Sequence, residues 1–413
     1  MAFTETRTTG YGSRLGNSCM GIPMGILLFV VATILLWWNE GRAVHRAQDI
    51  KQVAKTAQSI GDISAANPSL DGQLIHATGI ASTNDTLTDD LFGIKTNALA
   101  IVRSAEYYQW MEQEKHESKD KLGGKREETI TYTYERGWSN APINSSRFKD
   151  PDYQDVNNVI WDIEDTRSIA SNVSFGTYSL PETFIRDIIS KQNNNLLPLT
   201  MSSDNPSLKE LNENVMKSLG DNVRPEAAQV KDSLAYVHVF GNQIYIGFNP
   251  SNPSIGDIRL TFQQLAPSCN ISLIAVPSNG SFSTFQAKHD KSEYELRIGT
   301  LSLDDMIKQA NEDNETITWA LRILGVILTI IALKMVFSIL VTLFKIVPFL
   351  ASIMNLGVSL VCAVLGIVWS LIVIAIAWIF YRPLLGIALL VIAAALIYWL
   401  HIKGKKQQAV VAE

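Results

Sequence analysis

The stretch GIPMGILLFVVATILLWW, residues 21–38, holds no charged side chain across its eighteen positions. A helix of that length rises about 27 Å, close to the hydrocarbon thickness of a bilayer. Similar apolar runs return near the other end, over residues 318–344, 353–380 and 384–400. Between them lies a mostly polar segment, 39–316, long enough for one large domain or two ordinary ones. The layout predicts a membrane protein with four transmembrane α-helices, one N-terminal and three C-terminal, around a large β-rich α+β domain.

Arg7 and Arg14 precede the first run, as in a signal peptide. The run then ends in Trp37, Trp38, Asn39 and Glu40 rather than in small residues suited to cleavage, so it reads as a retained anchor with interfacial tryptophans. With four spans both termini share a side. That side carries Arg7, Arg14, Lys345, Lys403, Lys405 and Lys406, whereas the short link between the last two spans has only Arg382. The positive-inside bias puts residues 1–20 and 401–413 in the cytoplasm and the domain in a lumen or periplasm. Arg42, Arg46 and Lys51 weigh against this assignment.

The net charge is −5, and no cluster of Lys and Arg marks a nucleic-acid surface. Of the cysteines Cys19, Cys269 and Cys362, only Cys269 falls in the polar segment, so no disulfide is expected within it. Asn-x-Ser/Thr sequons begin at Asn84, Asn144, Asn172, Asn270, Asn279 and Asn314, few more than chance supplies in such a composition.

Residues 39–60 read as a juxtamembrane helix. Ala43, Ala47, Ile50, Ala54 and Ala57 form a narrow seam of mostly small residues, fit either to pack on the chain's own domain or to self-associate. Residues 98–113 and 129–138 alternate as strands and flank the charged segment EQEKHESKDKLGGKRE, which predicts a long hairpin with a solvated tip or a docking site there. GTYSLPE at 176–182 and GTLSLDD at 299–305 share a pattern in which a serine precedes an acid by three residues, the mark of a capped helix start. Two related units follow, 61–192 and 232–311, joined by a linker at 193–231.

No nucleophile elbow, phosphate loop or zinc-binding helix motif occurs, and the histidines are scattered. The expectation is no enzyme, no metal and no cofactor. The charges near the membrane are more informative. Lys334 sits inside the second span, where a cation costs at least ~2.5–3.5 kcal/mol. It either faces a partner or wet cavity, or snorkels from a span ending at 333, with 335–350 then lying on or re-entering the surface. Glu40, Arg42, Arg322 and Arg382 all fall at the outer ends of spans, forming a polar collar or a set of lipid-headgroup contacts.

WNEGRAV at 38–44, EYYQWMEQEK at 106–115, GDIRLTF at 256–262, TWALR at 318–322 and FYRPL at 380–384 resemble, in order, the LUMA (transmembrane protein 43) family. Lys334 departs from the family pattern. The resemblance implies a multi-pass protein of the endoplasmic reticulum and inner nuclear membrane in animals, an oligomeric scaffold for emerin and lamins with a link to lipid metabolism. In a bacterium the cell inner membrane replaces the envelope and those partners drop out. The expected function is a self-associating scaffold that organises membrane proteins and lipids. The alternative is a lipid- or ion-handling protein with a polar cavity among its spans.

Overall fold

The structure is a computed structural model and describes residues 2–60, 63, 68–158, 161–191, 195–199, 205–219, 236–290, 294–346 and 348–383. The expected fourth span at 384–400 and the tail at 401–413 lie outside the described residues. The described helices are α1 (Tyr11–Thr56), α2 (Glu182–Lys191), α3 (Leu208–Leu219), α4 (Leu303–Leu343) and α5 (Pro348–Tyr381). Three of them, α1, α4 and α5, are long and apolar enough to cross a membrane.

The first span and the juxtamembrane helix form one continuous rod. α1 runs 46 residues, from the apolar stretch into the polar domain, with no break at Trp38. α4 is continuous in the same way, passing through Lys334 to Leu343. The segment 335–343, expected on or re-entering the surface if the span ended at 333, thus continues the same helix. Its start follows the expected capping chemistry: Ser302 Oγ accepts from the Asp305 backbone amide at 3.1 Å and donates to the Asp305 carboxylate at 2.6 Å. The matching expectation at Ser179 is corrected. Ser179 lies in a strand and its carbonyl accepts from Ser281, while α2 begins only at Glu182.

α1 and α4 pack antiparallel through small residues. A Cβ on Gly25 would come within 2.9 Å of the Ala332 carbonyl oxygen, and one on Gly325 within 2.5 Å of Leu36. Glycine at both places lets the backbones approach, which is how helices gain dispersion contacts where lipid removes the hydrophobic drive.

The first sheet runs β1 (Ala2–Thr9), β7 (Arg126–Ser139), β6 (Ala100–Asp120), β14 (Ile258–Leu265), β13 (Gln243–Ile246) and β12 (Val237–Phe240). β8 (Thr166–Ile169) and β11 (Leu197–Pro198) pair with β6 and β14 off this path. The second sheet runs β17 (Glu295–Ile298), β15 (Ser268–Ser278), β16 (Ser281–Ser283), β10 (Tyr178–Ser179), β9 (Val173–Phe175), β3 (Ile75–Thr83) and β2 (Gln58–Ile60). β4 (Thr86–Asp89) and β5 (Ile94–Asn97) form a separate hairpin.

This topology corrects the division into units 61–192 and 232–311. Each sheet takes strands from both intervals: β6 pairs with β14, and β3 with β15. The two similar segments also have different partners, β10 joining β9 and β16 while β17 joins β15. The interval 193–231 is no simple linker either. It supplies β11 and α3, whose Leu211 and Val215 are buried beside Phe92, Ile101, Tyr107 and Phe262 under the first sheet. Phe175, Ile185 and Leu273 anchor the other core, between the second sheet and α2.

His76 on β3 bridges the two ends of this second layer. Its Nδ1 accepts from Ser59 Oγ and its Nε2–H donates to the Leu301 carbonyl, both at 3.0 Å, as a neutral ring satisfies them. Burial holds its pKa below the ordinary 6.5. The unfolded chain therefore binds a proton that the folded chain refuses as pH falls below about 6.5, and stability drops there with falling pH. Melting temperatures of the protein and of His76→Gln, compared from pH 7.5 to 5.5, should show a shallower acid loss in the variant. Parallel curves would remove His76 as a contributor.

The hairpin β6–β7 matches the sequence reading and is longer than expected, but its tip is not a free solvated end. Arg14 of α1 is buried there, with an ion pair to Asp120 at 2.7 Å and a bond to the Gly124 carbonyl at 3.0 Å. Gly123 N–H donates to the Ile346 carbonyl at 3.1 Å. Residues 2–9, within the segment 1–20 expected in the cytoplasm, form β1 and pair with β7 from Ala2↔Thr133 to Thr9↔Arg126. A ladder of backbone bonds makes these strands one sheet, so residues 2–9 belong to the hairpin's own layer.

Candidate functional site: a polar clamp where the helices leave the apolar layer

The tryptophans Trp37, Trp38, Trp319 and Trp378 stand at one end of the apolar segments of α1, α4 and α5. Indole rings favour the depth of lipid headgroups. At this level Glu40 of α1 is fully buried. Its carboxylate takes a forked pair of bonds from Arg322 of α4, Nε to Oε1 at 2.6 Å and Nη2 to Oε2 at 2.8 Å. Trp378 of α5 adds a third donor, Nε1 to Oε2 at 2.8 Å. Three helices meet on one carboxylate.

The guanidinium is held as firmly as the acid. Its carbon lies 4.9 Å from the centre of the Trp319 ring and 5.7 Å from that of Trp378, between two π faces that attract a cation. Gly41 explains how α5 comes so near: a Cβ there would sit 2.8 Å from the Tyr381 ring. Next to the ion pair lies a second network. Asn39 Nδ2 donates to the Thr318 carbonyl at 3.0 Å, and Arg42 donates to Asn314 Oδ1, Asn39 Oδ1 and Thr318 Oγ1. Asn314 Nδ2 returns a bond to the Ala43 carbonyl at 3.0 Å.

Of the collar residues expected from sequence, the structure joins Glu40 to Arg322 and places Arg42 in the adjoining network. Arg382 is not part of it. Among the described hydrogen bonds only its backbone N–H takes part, donating to Trp378 at 2.7 Å. Asn39, Asn314, Thr318 and Trp378 were missed. Asn314, Thr318 and Arg322 recur every fourth residue, one polar stripe on α4, and that periodicity was the available signal. The seam is largely internal: Ala43 and Ile50 are buried within the chain, Ala47 and Ala57 are half-buried and Ala54 is exposed. Ala43 and Ile50 are thereby removed from any self-association surface. Lys334 is exposed on α4 among the described residues.

Beside the clamp a recess of about 690 Å³ is lined by Trp37, Trp38, Arg42, His45, Arg46 and His289 and by the acids Asp49 and Asp290. His45 and His289 stack there with ring centres 4.2 Å apart, and Arg46 pairs with Glu295 at 2.8 Å. The groove between α4 and α5, in contrast, is apolar apart from Arg322, lined by Trp319, Ile323, Val326, Leu371 and Trp378. Chemically the clamp holds rather than reacts: both oxygens of Glu40 are occupied by donors. Among the described residues no group of three or more His, Cys, Asp or Glu is placed to hold a metal ion.

Fold and site together define an integral membrane protein whose apolar helices are locked to a β-rich domain by a buried interfacial ion pair. The family model described as transmembrane protein 43 matches residues 107–383, and the chain belongs to that family. The match includes Arg322 and Trp378 of the clamp. The chain is similar to transmembrane protein 43 of Homo sapiens, 25% identical over 397 residues covering 94% of this chain and 90% of that protein. The Rattus norvegicus protein is 24% identical over 390 residues, 92% and 89% of the two chains. A homolog from Drosophila melanogaster is 26% identical over 381 residues, 91% and 92%. No solved structure matches the chain.

Proposed function

We propose that the chain is a self-associating membrane scaffold, presenting its large domain at a set height and angle to organise neighbouring membrane proteins and lipids. The observation that carries this reading is mechanical. α1 and α4 pass unbroken from the apolar layer into the domain, and the Glu40–Arg322–Trp378 clamp ties them to α5 at the interface. A scaffold needs such a rigid coupling, whereas a transporter needs a bundle that opens. In the recess beside Trp37 and Trp38, which holds the acids Asp49 and Asp290 as well, the guanidinium of Arg42 is the group offered to a headgroup phosphate. The domain is assigned to the lumenal or periplasmic side by the charge balance of the short segments. In an animal cell the compartment would be the endoplasmic reticulum and inner nuclear membrane, with emerin and lamins as partners.

The test is the mass of the protein in lipid nanodiscs at nanomolar concentration. Multiples of the chain mass that persist on dilution are expected, together with retained anionic lipid that Arg42→Gln lowers. Single chains at every concentration would overturn the scaffold reading. Full lipid retention in the variant would remove the recess from it.

A further inference from the structure

The β1–β7–β6 arm runs the length of the membrane helices without the means to face lipid. Its root is Tyr107, where β6 leaves β14, and its tip meets Arg14 and Ile346 at the far ends of α1 and α4. From Tyr107 to Asp120 an extended strand covers about 43 Å. From Glu40 back to Tyr11 the helix covers about 44 Å. The arm therefore occupies the same depth as the exposed Met20, Met24, Leu27, Val31 and Ile34 of α1, which are side chains for lipid.

The arm's composition is the opposite of lipid-facing. One row of its three strands reads Thr4, Thr6 and Thr8 on β1, then Thr129, Thr131, Thr133 and Glu135 on β7, then Gln113, Lys115, Glu117 and Lys119 on β6. The other row contains Asp120, which meets Arg14, so at the tip it is this second row that turns to the helices. The Thr- and Lys-bearing row looks away from them.

Both edges of the arm are also open. Beyond Trp110, whose backbone groups bond to Asn157, no described backbone partner covers the outer edge of β6 to Asp120, and none covers the outer edge of β1. Unpaired strand edges do not survive at hydrocarbon depth unless water or another strand satisfies them. The two open edges match each other in length and height. Thr133 pairs with both Ala2 and Gln113, and Arg126 with both Thr9 and Asp120, so residues 2–9 and 113–120 stand level. Set side by side, Glu5 falls level with His116 and one step from Glu114, Arg7 one step from both Asp120 and His116, and threonines level with Lys115, Glu117 and Lys119. No like charges are directly opposed.

We propose that arms of neighbouring copies pair edge to edge, β1 of one chain on residues 113–120 of the next. The copies form a ring whose inner wall is a polar, water-filled passage at membrane depth, with the apolar helices outside. Such a head-to-tail contact closes on itself only by rotation, so it builds a ring rather than a two-fold dimer. This rests on the self-association reading and specifies its surface.

The test is disulfide crosslinking of the full chain in native membranes with Thr4→Cys and Lys115→Cys. Within one chain these positions lie two strands apart, about 10 Å, beyond the ~7 Å reach of a disulfide. Between neighbours they are on adjacent strands. Under mild oxidation the double variant should convert most of its monomer band into a ladder ending at one ring size, and neither single variant should do so. Dimers from Thr4→Cys alone would overturn the proposal in favour of a two-fold contact. No ladder while nanodisc masses stay multimeric would overturn the edge pairing and leave the scaffold reading standing. Single chains in both assays would overturn both.

Discussion

Replacing Glu40 by Gln is expected to cost about 3–5 kcal/mol of stability, the range for breaking a buried ion pair. The acid is fully buried and Arg322 is 13% exposed at its side chain, so little water can take over the lost charge. An exposed interfacial pair would be worth only ~0–1 kcal/mol, and the two ranges do not overlap. The glutamine keeps the shape and one acceptor oxygen, leaving the guanidinium between its tryptophans without a counter-charge. Unfolding in detergent should show the loss, and Arg322→Met in the same chain should restore part of it by removing the stranded cation. Arg382→Gln is the matched control, because its guanidinium bonds to nothing in the clamp, and Glu40→Gln should be unaffected by it. A loss under 1 kcal/mol, or strictly additive losses for Glu40 and Arg322, would show that the carboxylate is solvated and that the helices are held by packing alone.

Asp89→Ala should have a similar effect in the domain. Asp89 ends β4 and pairs with Arg103 of β6 at 2.6 Å, with the two side chains 4% and 5% exposed. It also accepts from the Phe92 amide at 3.0 Å, and Arg103 stacks over the Phe92 ring at 5.4 Å. Removing the acid strands a buried cation next to the first core, at about 3–5 kcal/mol. The expected result is a domain that becomes sensitive to protease at lower denaturant, with Arg103→Met recovering part of the loss because a methionine fills the same space without charge. Unchanged protease resistance in Asp89→Ala would mean that water reaches Arg103.

These two ion pairs differ in how far they could be read from the chain. Asp89 and Arg103 are nearby in sequence, yet nothing in their spacing distinguishes them from other acid and base pairs of the polar segment. Charge at the end of an apolar run is costly and asks for a partner, which marks Glu40 and Arg322 in the chain. Arg322 and Arg382 were equivalent on that ground. Only the close approach at Gly41 and the rotation of α5 put Trp378, and not Arg382, on the carboxylate.

The amino-acid sequence by itself determined what depends on neighbours in the chain. Hydrophobic run length set the helices able to cross a membrane, alternation set the strands of the β6–β7 hairpin, and Ser302 with Asp305 set the start of α4. It also carried the family resemblance. The tertiary structure alone decided what depends on residues hundreds of positions apart: the bond between Glu40 and Arg322, 282 residues away, the mixing of early and late strands in both sheets, and the docking of the hairpin tip on Arg14. The physical reason is that a helix or a turn is stabilised by contacts within a few residues, and periodicity records those. A sheet edge or a buried charge is satisfied by whichever distant group the whole fold brings to it, and no local pattern records which one that is.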